Sequence, residues 1–231
     1  MHEQNTHSDT AVIVMARYPI LGQTKTRLAR TLGDADTLAL YRAFLTDLAQ
    51  HHGEQPYTLC WTYTPANANY RELLEALAPG SVQKMRFFPQ QGEGLGERLH
   101  YAFTWSRDQG YSYTFVIGSD SPHLQPETIA HAHAALDEAD VVLGPADDGG
   151  YYLIGMKQAY DVFSGIPMST PQVLAMTIAS AQRQDLRVRT IETLSDVDEL
   201  SDLHLLATRL QTNRTLAPAT AAYLEHIRMI S

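Results

Sequence analysis

Ala11-Val-Ile-Val-Met-Ala16 is an unbroken apolar run, and it opens directly into Arg17-Tyr-Pro-Ile-Leu-Gly-Gln-Thr-Lys-Thr-Arg27. A run of this length with no polar alternation is what a strand covered on both faces requires. The segment after it is purely cationic. From Thr10 to Gly33 there is no Asp or Glu, yet Arg17, Lys25, Arg27 and Arg30 all fall there, in a chain whose formal net charge is −9. Such a local reversal of charge at the exit of a strand favours an anionic ligand.

Outward from this point, strands alternate with helical spacing. Tyr57–Tyr63, Val82–Phe88, Tyr113–Gly118, Val141–Gly144, Tyr151–Met156 and Leu186–Ile191 read as strands, and amphipathic or capped stretches between them read as helices. That alternation predicts an α/β fold with a mostly parallel central sheet flanked by helices. The 231 residues suit a single domain, read as residues 11–231 behind a disordered N-terminal tail of residues 1–10. No long linker, repeat or low-complexity tract divides it.

Composition narrows the function. The acidic balance argues against nucleic-acid binding, which needs a basic face over many phosphates. Cys60 is the only cysteine, so neither an intrachain disulfide nor a cysteine zinc site is expected. No stretch approaches the ~18 apolar residues of a membrane span, and the polar first ten residues lack a signal peptide's apolar region. A cytoplasmic protein is the expectation. The sequence assigns no oligomeric state.

In an open α/β sheet ligands bind beyond the carboxyl ends of the strands, and the chemistry-bearing motifs fall there. Gly22 lets the first loop turn tightly, and Lys25 and Arg27 begin the next helix, with a point charge and a bidentate fork for phosphate oxygens. The Gly-Lys-Ser/Thr ending of a Walker loop is missing. Asp120 follows the strand Tyr113–Gly118 and suits a hard Mg²⁺ or Mn²⁺ ion that takes the rest of its shell from phosphates; an N-cap or turn aspartate is the competing reading. Asp196 and Asp198, two apart, would share a face in extended chain; one could complete the metal shell while the other caps the helix near Glu199, with Asp196 the expected ligand.

Asp147-Asp148-Gly149-Gly150 is a tight acidic turn able to meet sugar hydroxyls or a metal, or to act as a base, in competition with an ordinary hairpin turn. Gly92, Gly94 and Gly96 do not have dinucleotide-fingerprint spacing; with Gln91 they suit a loop lying against a flat base. His131 and His133 cannot form an i, i+4 metal pair, and His51 and His52 read as surface residues at a helix end. Ser119 and Ser121 lack a nucleophile-elbow sequence.

These motifs resemble those of the glycosyltransferase-A-like (GT-A-like) nucleotide-diphospho-sugar transferase superfamily. Within it the chain is most similar to bacterial transferases found beside radical-enzyme and arsenosugar biosynthesis genes. The matching stretches are Ala16-Arg-Tyr-Pro19 with Gly22, Lys25-Thr-Arg-Leu28, Gln91 with Leu95-Gly-Glu-Arg98, Gly118-Ser-Asp-Ser-Pro122, Leu143-Gly-Pro145 with Asp148-Gly-Gly-Tyr151, Gly165-Ile-Pro167 with Ser169-Thr170, and Asp196-Val-Asp198. Lys25-Thr-Arg-Leu28 also resembles phospholactate guanylyltransferases.

The resemblance implies a GT-A-like fold in which Arg17, Gly22, Lys25 and Arg27 surround nucleotide phosphates and Gln91 to Gly96 approach the base. It implies that Asp120, helped by Asp196 or Asp198, binds Mg²⁺ or Mn²⁺, with Asp120 and Asp148 as the catalytic carboxylates. Asp147, Gly149, Gly150, Tyr151, Ser169 and Thr170 would line the substrate side. Met168 stands where the family places a Trp, so a flexible thioether replaces a rigid aromatic wall. The implied reaction is metal-dependent glycosyl transfer from a nucleotide-diphospho sugar to a small-molecule acceptor. Two alternatives stand beside it: guanylyltransferase-like nucleotidyl transfer from a nucleoside triphosphate to a phosphorylated small molecule, and an inactive nucleotide-binding module.

Overall fold

The computed structural model describes residues 9–230. Seven strands form one sheet in the order β3-β2-β1-β4-β6-β5-β7. They are β1 (Thr10–Arg17), β2 (Thr58–Thr64), β3 (Arg86–Pro89), β4 (Tyr113–Gly118), β5 (Val141–Pro145), β6 (Tyr151–Met156) and β7 (Val188–Thr190). The expected parallel sheet is present from β3 through β4, and β7 runs parallel to β5. β6 is the exception, antiparallel to both β4 and β5. It reaches that place because the Asp147–Gly150 turn is too short for a crossover and sends the chain straight back, as an antiparallel connection allows. The hairpin reading of this turn therefore holds, and the turn still lies at the carboxyl end of β4.

Both faces of the sheet are covered. Val12, Val14 and Ala16 of β1 point into one apolar cluster, and Ala11 and Ile13 into another, the period of two that a strand dictates. The first cluster packs against α1 (Thr26–Leu32), α2 (Asp34–His52), α3 (Tyr70–Leu77), α5 (Pro126–Ala135), α7 (Leu200–Thr212) and α8 (Pro218–His226). The second packs against α4 (Leu95–Asp108) and α6 (Val173–Gln182). Burial accounts for the β1 run: residues 11–14 expose nothing to solvent.

Of the expected tail, residues 1–8 lie outside the described residues. Thr10 belongs instead to β1, paired with Tyr113, and the Asp9 carbonyl accepts from the backbone N–H groups of Ser112 and Tyr113. The expected strand at residues 82–88 begins with a 3-10 turn and becomes extended only at Arg86. Among the described residues no helix is long and apolar enough to cross a membrane.

Candidate functional site

β1 connects toward β2 on one side of the sheet, while its other neighbour is β4. The chain thus changes direction at the β1–β4 boundary, the crevice where open α/β sheets bind ligands. A cleft of about 1020 Å³ opens there. The loop after β1 forms one wall with Arg17, Lys25 and Arg27; Ser119 and Asp120 form its floor; Asp148, Gly150 and Tyr151 close the far side.

Lys25 is the centre of the arrangement. Its Nζ lies 2.8 Å from Asp120 Oδ1 and 3.2 Å from Asp198 Oδ1, and it donates to the Val197 carbonyl at 2.6 Å. The Lys25 side chain is only 7 % exposed, whereas Asp120 and Asp198 are 39 % and 50 % exposed toward the cleft. Burial alone would lower the Lys25 pKa, but the charges of Asp120 and Asp198 outweigh it and hold the ammonium above its ordinary value. Two backbone facts put Lys25 there. It is the N-cap of α1 with φ 42° and ψ 56°, the left-handed region that costs a non-glycine residue about 1–2 kcal/mol. Three residues earlier Gly22 turns the loop with φ 73°.

The two C-terminal acids have different tasks. Val197 N–H donates to the Asp120 carbonyl at 3.0 Å, and Leu194 N–H to the Pro145 carbonyl at 3.1 Å, stitching this segment to the ends of β4 and β5. Asp196 turns inward and accepts a hydrogen bond from Ser121 Oγ. Burial, with the neighbouring charges of Asp120 and Asp198, pushes its pKa up to about 7 against the opposing Ser121 bond and Lys25 charge. Asp198 faces Lys25. Asp198 therefore does not take the capping role that the spacing allowed it, while Asp196, the expected ligand, lines the cleft beside it. α7 is capped by Glu199 and Asp202 in a reciprocal box, with Asp202 Oδ2 accepting from Glu199 N–H at 2.8 Å. That box releases the Asp198 carboxylate from capping.

Among the described residues no group of three or more His, Cys, Asp or Glu side chains is arranged to hold a metal ion. The physical reason is visible: an ammonium sits between Asp120 and Asp198, and Asp196 is engaged by Ser121. The donor chemistry nevertheless suits a hard cation, because these two carboxylates already hold one cation in common and a third, half-buried, lies beside them with its pKa raised.

Arg17, Lys25, Arg27, Asp120, Asp148, Gly150, Tyr151, Ser169, Thr170, Asp196 and Asp198 share the cleft. Asp148 Oδ1 accepts from Gly150 N–H at 2.8 Å. Other residues singled out from the sequence sit behind or beside it. Gly22 shapes the loop and faces Asp34. Asp147 is taken up by Ser195 Oγ, tying the hairpin to the C-terminal segment. Gly149 presses against the Pro171 carbonyl, where a Cβ would come within 2.1 Å, and its own carbonyl accepts from Leu174 N–H. Gln91 and Gly96 line a second, adjoining pocket of about 670 Å³ that shares Leu95 and Met168 with the main cleft.

Three cleft residues had been given no role from the sequence. Gln90, one position before the expected Gln91, lies on the cleft wall and donates from Nε2 to the carbonyls of Ala16 and Thr62 at 3.2 and 3.1 Å. Two carbonyl acceptors fix the amide's orientation. Pairing between β1 and β2, which no local pattern reveals, brings them together. Arg98 anchors the glycine-rich turn by donating to the Gly92 carbonyl at 3.0 Å. Tyr41 reaches the cleft from α2, its hydroxyl 2.9 Å from Ser119 Oγ and accepting from Arg17 N–H at 3.2 Å. Its helical spacing reads simply as core.

A family model described as "Uncharacterized protein conserved in bacteria (DUF2064)" matches residues 45–170. A solved structure from Desulfovibrio desulfuricans G20, described as a "putative nucleotide-diphospho-sugar transferase", is 32% identical over 96% of each chain, with a TM-score of 0.87. A 4-diphosphocytidyl-2C-methyl-D-erythritol synthase from Anaerococcus prevotii shares 8% identity over 87% of this chain and 98% of its own, at a TM-score of 0.58. A cytidylyltransferase from Leptospira borgpetersenii shares 12% identity over 96% of this chain and 95% of its own, at 0.56. At such identities these last two likenesses are of fold. No curated protein matches the sequence significantly. The fold is that of the GT-A-like nucleotide-diphospho-sugar transferases, as the motifs led one to expect.

Proposed function

The chain belongs to the bacterial family DUF2064, and we propose that it works as a nucleotide-utilising transferase, specifically one that transfers a glycosyl group from a nucleotide-diphospho sugar. The observation that carries this reading is the meeting of Lys25, Asp120 and Asp198 at the β1–β4 crevice, beside the exposed cations Arg17 and Arg27. The cleft's volume is at the upper end of the range for small-molecule sites and suits a donor of nucleotide-sugar size. Arg17, Lys25 and Arg27 would neutralise the diphosphate. Asp120 and Asp198 would hold Mg²⁺ or Mn²⁺, which supplies further charge stabilisation to the leaving diphosphate when bound.

Asp148 would serve the acceptor. With Oδ1 held by Gly150 N–H, Oδ2 is left to take the proton of the acceptor hydroxyl. The acceptor oxygen then bonds to the sugar's anomeric carbon as that carbon's bond to the diphosphate oxygen breaks, and the nucleoside diphosphate departs. The adjoining pocket at Gln91–Gly96 offers room for the acceptor or the base.

Nucleotidyl transfer is the second reading. It is supported by the three cations on one wall, which suit a triphosphate, and by the fold shared with the cytidylyltransferases. In this reading an acceptor phosphate attacks the α-phosphorus and pyrophosphate leaves.

Thermal shift with nucleotide sugars and nucleoside triphosphates, each with and without Mg²⁺, tests both. A nucleotide sugar at 100 times its Kd contributes about 2.7 kcal/mol, a rise of roughly 5–10 °C for a chain of this size. Stabilisation by triphosphates alone moves the assignment to nucleotidyl transfer. Stabilisation by neither class ends both.

A further inference from the structure

The phosphates of a ligand cannot reach the Lys25 ammonium as it stands. Two carboxylates and a backbone carbonyl surround its Nζ, and almost none of the side chain is exposed. Arg17 and Arg27 are exposed at the cleft, Arg27 with only a loose 3.7 Å pairing to Glu199 Oε1, so the loop's one buried cation is the one held closely by several protein oxygens. Three oxygens converging on a single cation form the kind of shell that a hard divalent ion takes. A metal at Asp120 and Asp198 and the ammonium at its present position therefore draw on the same oxygens. The two compete.

Resting on the nucleotide reading above, we propose that Lys25 is an exchangeable counter-ion. It neutralises Asp120 and Asp198 until a divalent cation arrives with phosphate, is displaced from the two carboxylates, and then meets the phosphate with the freed ammonium. This explains how one loop can carry a cation that pairs with the acids and yet belongs to a phosphate wall. It also sets an order of events. Metal alone must expel the ammonium from its two carboxylates with no phosphate there to receive it. Metal with phosphate expels it onto an anion. Metal and phosphate binding are therefore reciprocally coupled, each raising affinity for the other by the same factor.

Mn²⁺ binding measured by electron paramagnetic resonance, with and without inorganic pyrophosphate, tests the exchange in the wild type and in Lys25→Met. The variant should bind Mn²⁺ alone about tenfold more tightly or better, since the wild type's apparent affinity is reduced by the small fraction of molecules whose carboxylates are vacated. Pyrophosphate should help the variant less than the wild type.

A nearby positive charge that never moves would also weaken metal binding, so the decisive measurement is made on the unmodified chain. Acylation of Lys25 by an amine reagent, read by mass spectrometry, should be slow in the free protein, faster with saturating Mn²⁺, and slow again with Mn²⁺ and pyrophosphate together. Lys25 that stays protected with Mn²⁺ bound overturns the exchange and leaves the nucleotide reading standing. Absence of both Mn²⁺ and pyrophosphate binding in the wild type overturns the two together.

Discussion

Asp120 tests the site most directly at the level of single residues. Asp120→Asn keeps the side chain's shape and leaves Lys25 with Asp198 and the Val197 carbonyl, so the fold should persist by circular dichroism. Mg²⁺-dependent nucleotide binding should fall by about 1–2 kcal/mol or more, the lower end of the scale for removing one member of a charge pair because Asp120 is partly exposed. Calorimetric titration checks this, and unchanged metal affinity removes Asp120 from the site. The place of Asp120 at the crevice was legible, because it follows the carboxyl end of an apolar strand. The division of labour between Asp196 and Asp198 was not. Spacing places two such residues on one face of extended chain, but it does not show that Glu199 and Asp202 cap α7 by themselves. Nor does it show that Asp196 turns away from Lys25 toward Ser121.

At the level of elements, the joins between strands and helices carry the site, and two of them can be probed. The first is the end of α2. The sequence placed His52 on the surface, yet it is fully buried, with Nδ1 2.6 Å from the Tyr57 hydroxyl and Nε2 3.1 Å from the Leu124 carbonyl. Burial, aided by the His51 charge and opposed by the Leu124 bond, pushes its pKa down to about 3. A histidine kept neutral in the fold is protonated in the unfolded chain below its ordinary value of 6.5. Its contribution to stability is complete above that pH and is lost as pH falls from 6.5 toward 3. Urea unfolding between pH 7.5 and 4.5 should show this decline, and His52→Gln should flatten it. His123, pushed down to about 4 by burial and then by Arg209, accounts for a slope that remains. The second join is the β5–β6 hairpin. Gly149 has φ 86°, and an added Cβ would collide with backbone, not with a movable side chain. Gly149→Ala should lose about 2 kcal/mol or more, a fall of at least roughly 4 °C in Tm by calorimetry. No helical or strand periodicity marks such a contact; only the doubled glycine hinted at it.

At the level of the whole molecule, the alternation of apolar runs and helical spacing was enough to give the sheet and its covering helices, because burial on both faces imposes it residue by residue. The antiparallel β6 escaped that logic. A strand's sequence records which faces are buried and is silent on its direction; here direction follows from a turn too short to cross over. Convergence of the motifs was foreseeable only from the rule that sites gather at carboxyl strand ends. It succeeded for the loop after β1, for Asp120 and for the hairpin. It failed by one residue at Gln90, whose place depends on carbonyls from two other strands.

Lys25 finds Val197 and Asp198 across 172 and 173 residues of chain. A growing polypeptide emerges amino end first at roughly 5–20 residues per second, so about ten to thirty-five seconds separate the making of these partners. During that interval β1 to β6 can pair, while the lysine destined for the interior waits in water. The pocket is thus among the last parts of the protein to be finished, and a ribosome-bound chain that stops short of residue 197 lacks two of the three oxygens that surround the Lys25 ammonium.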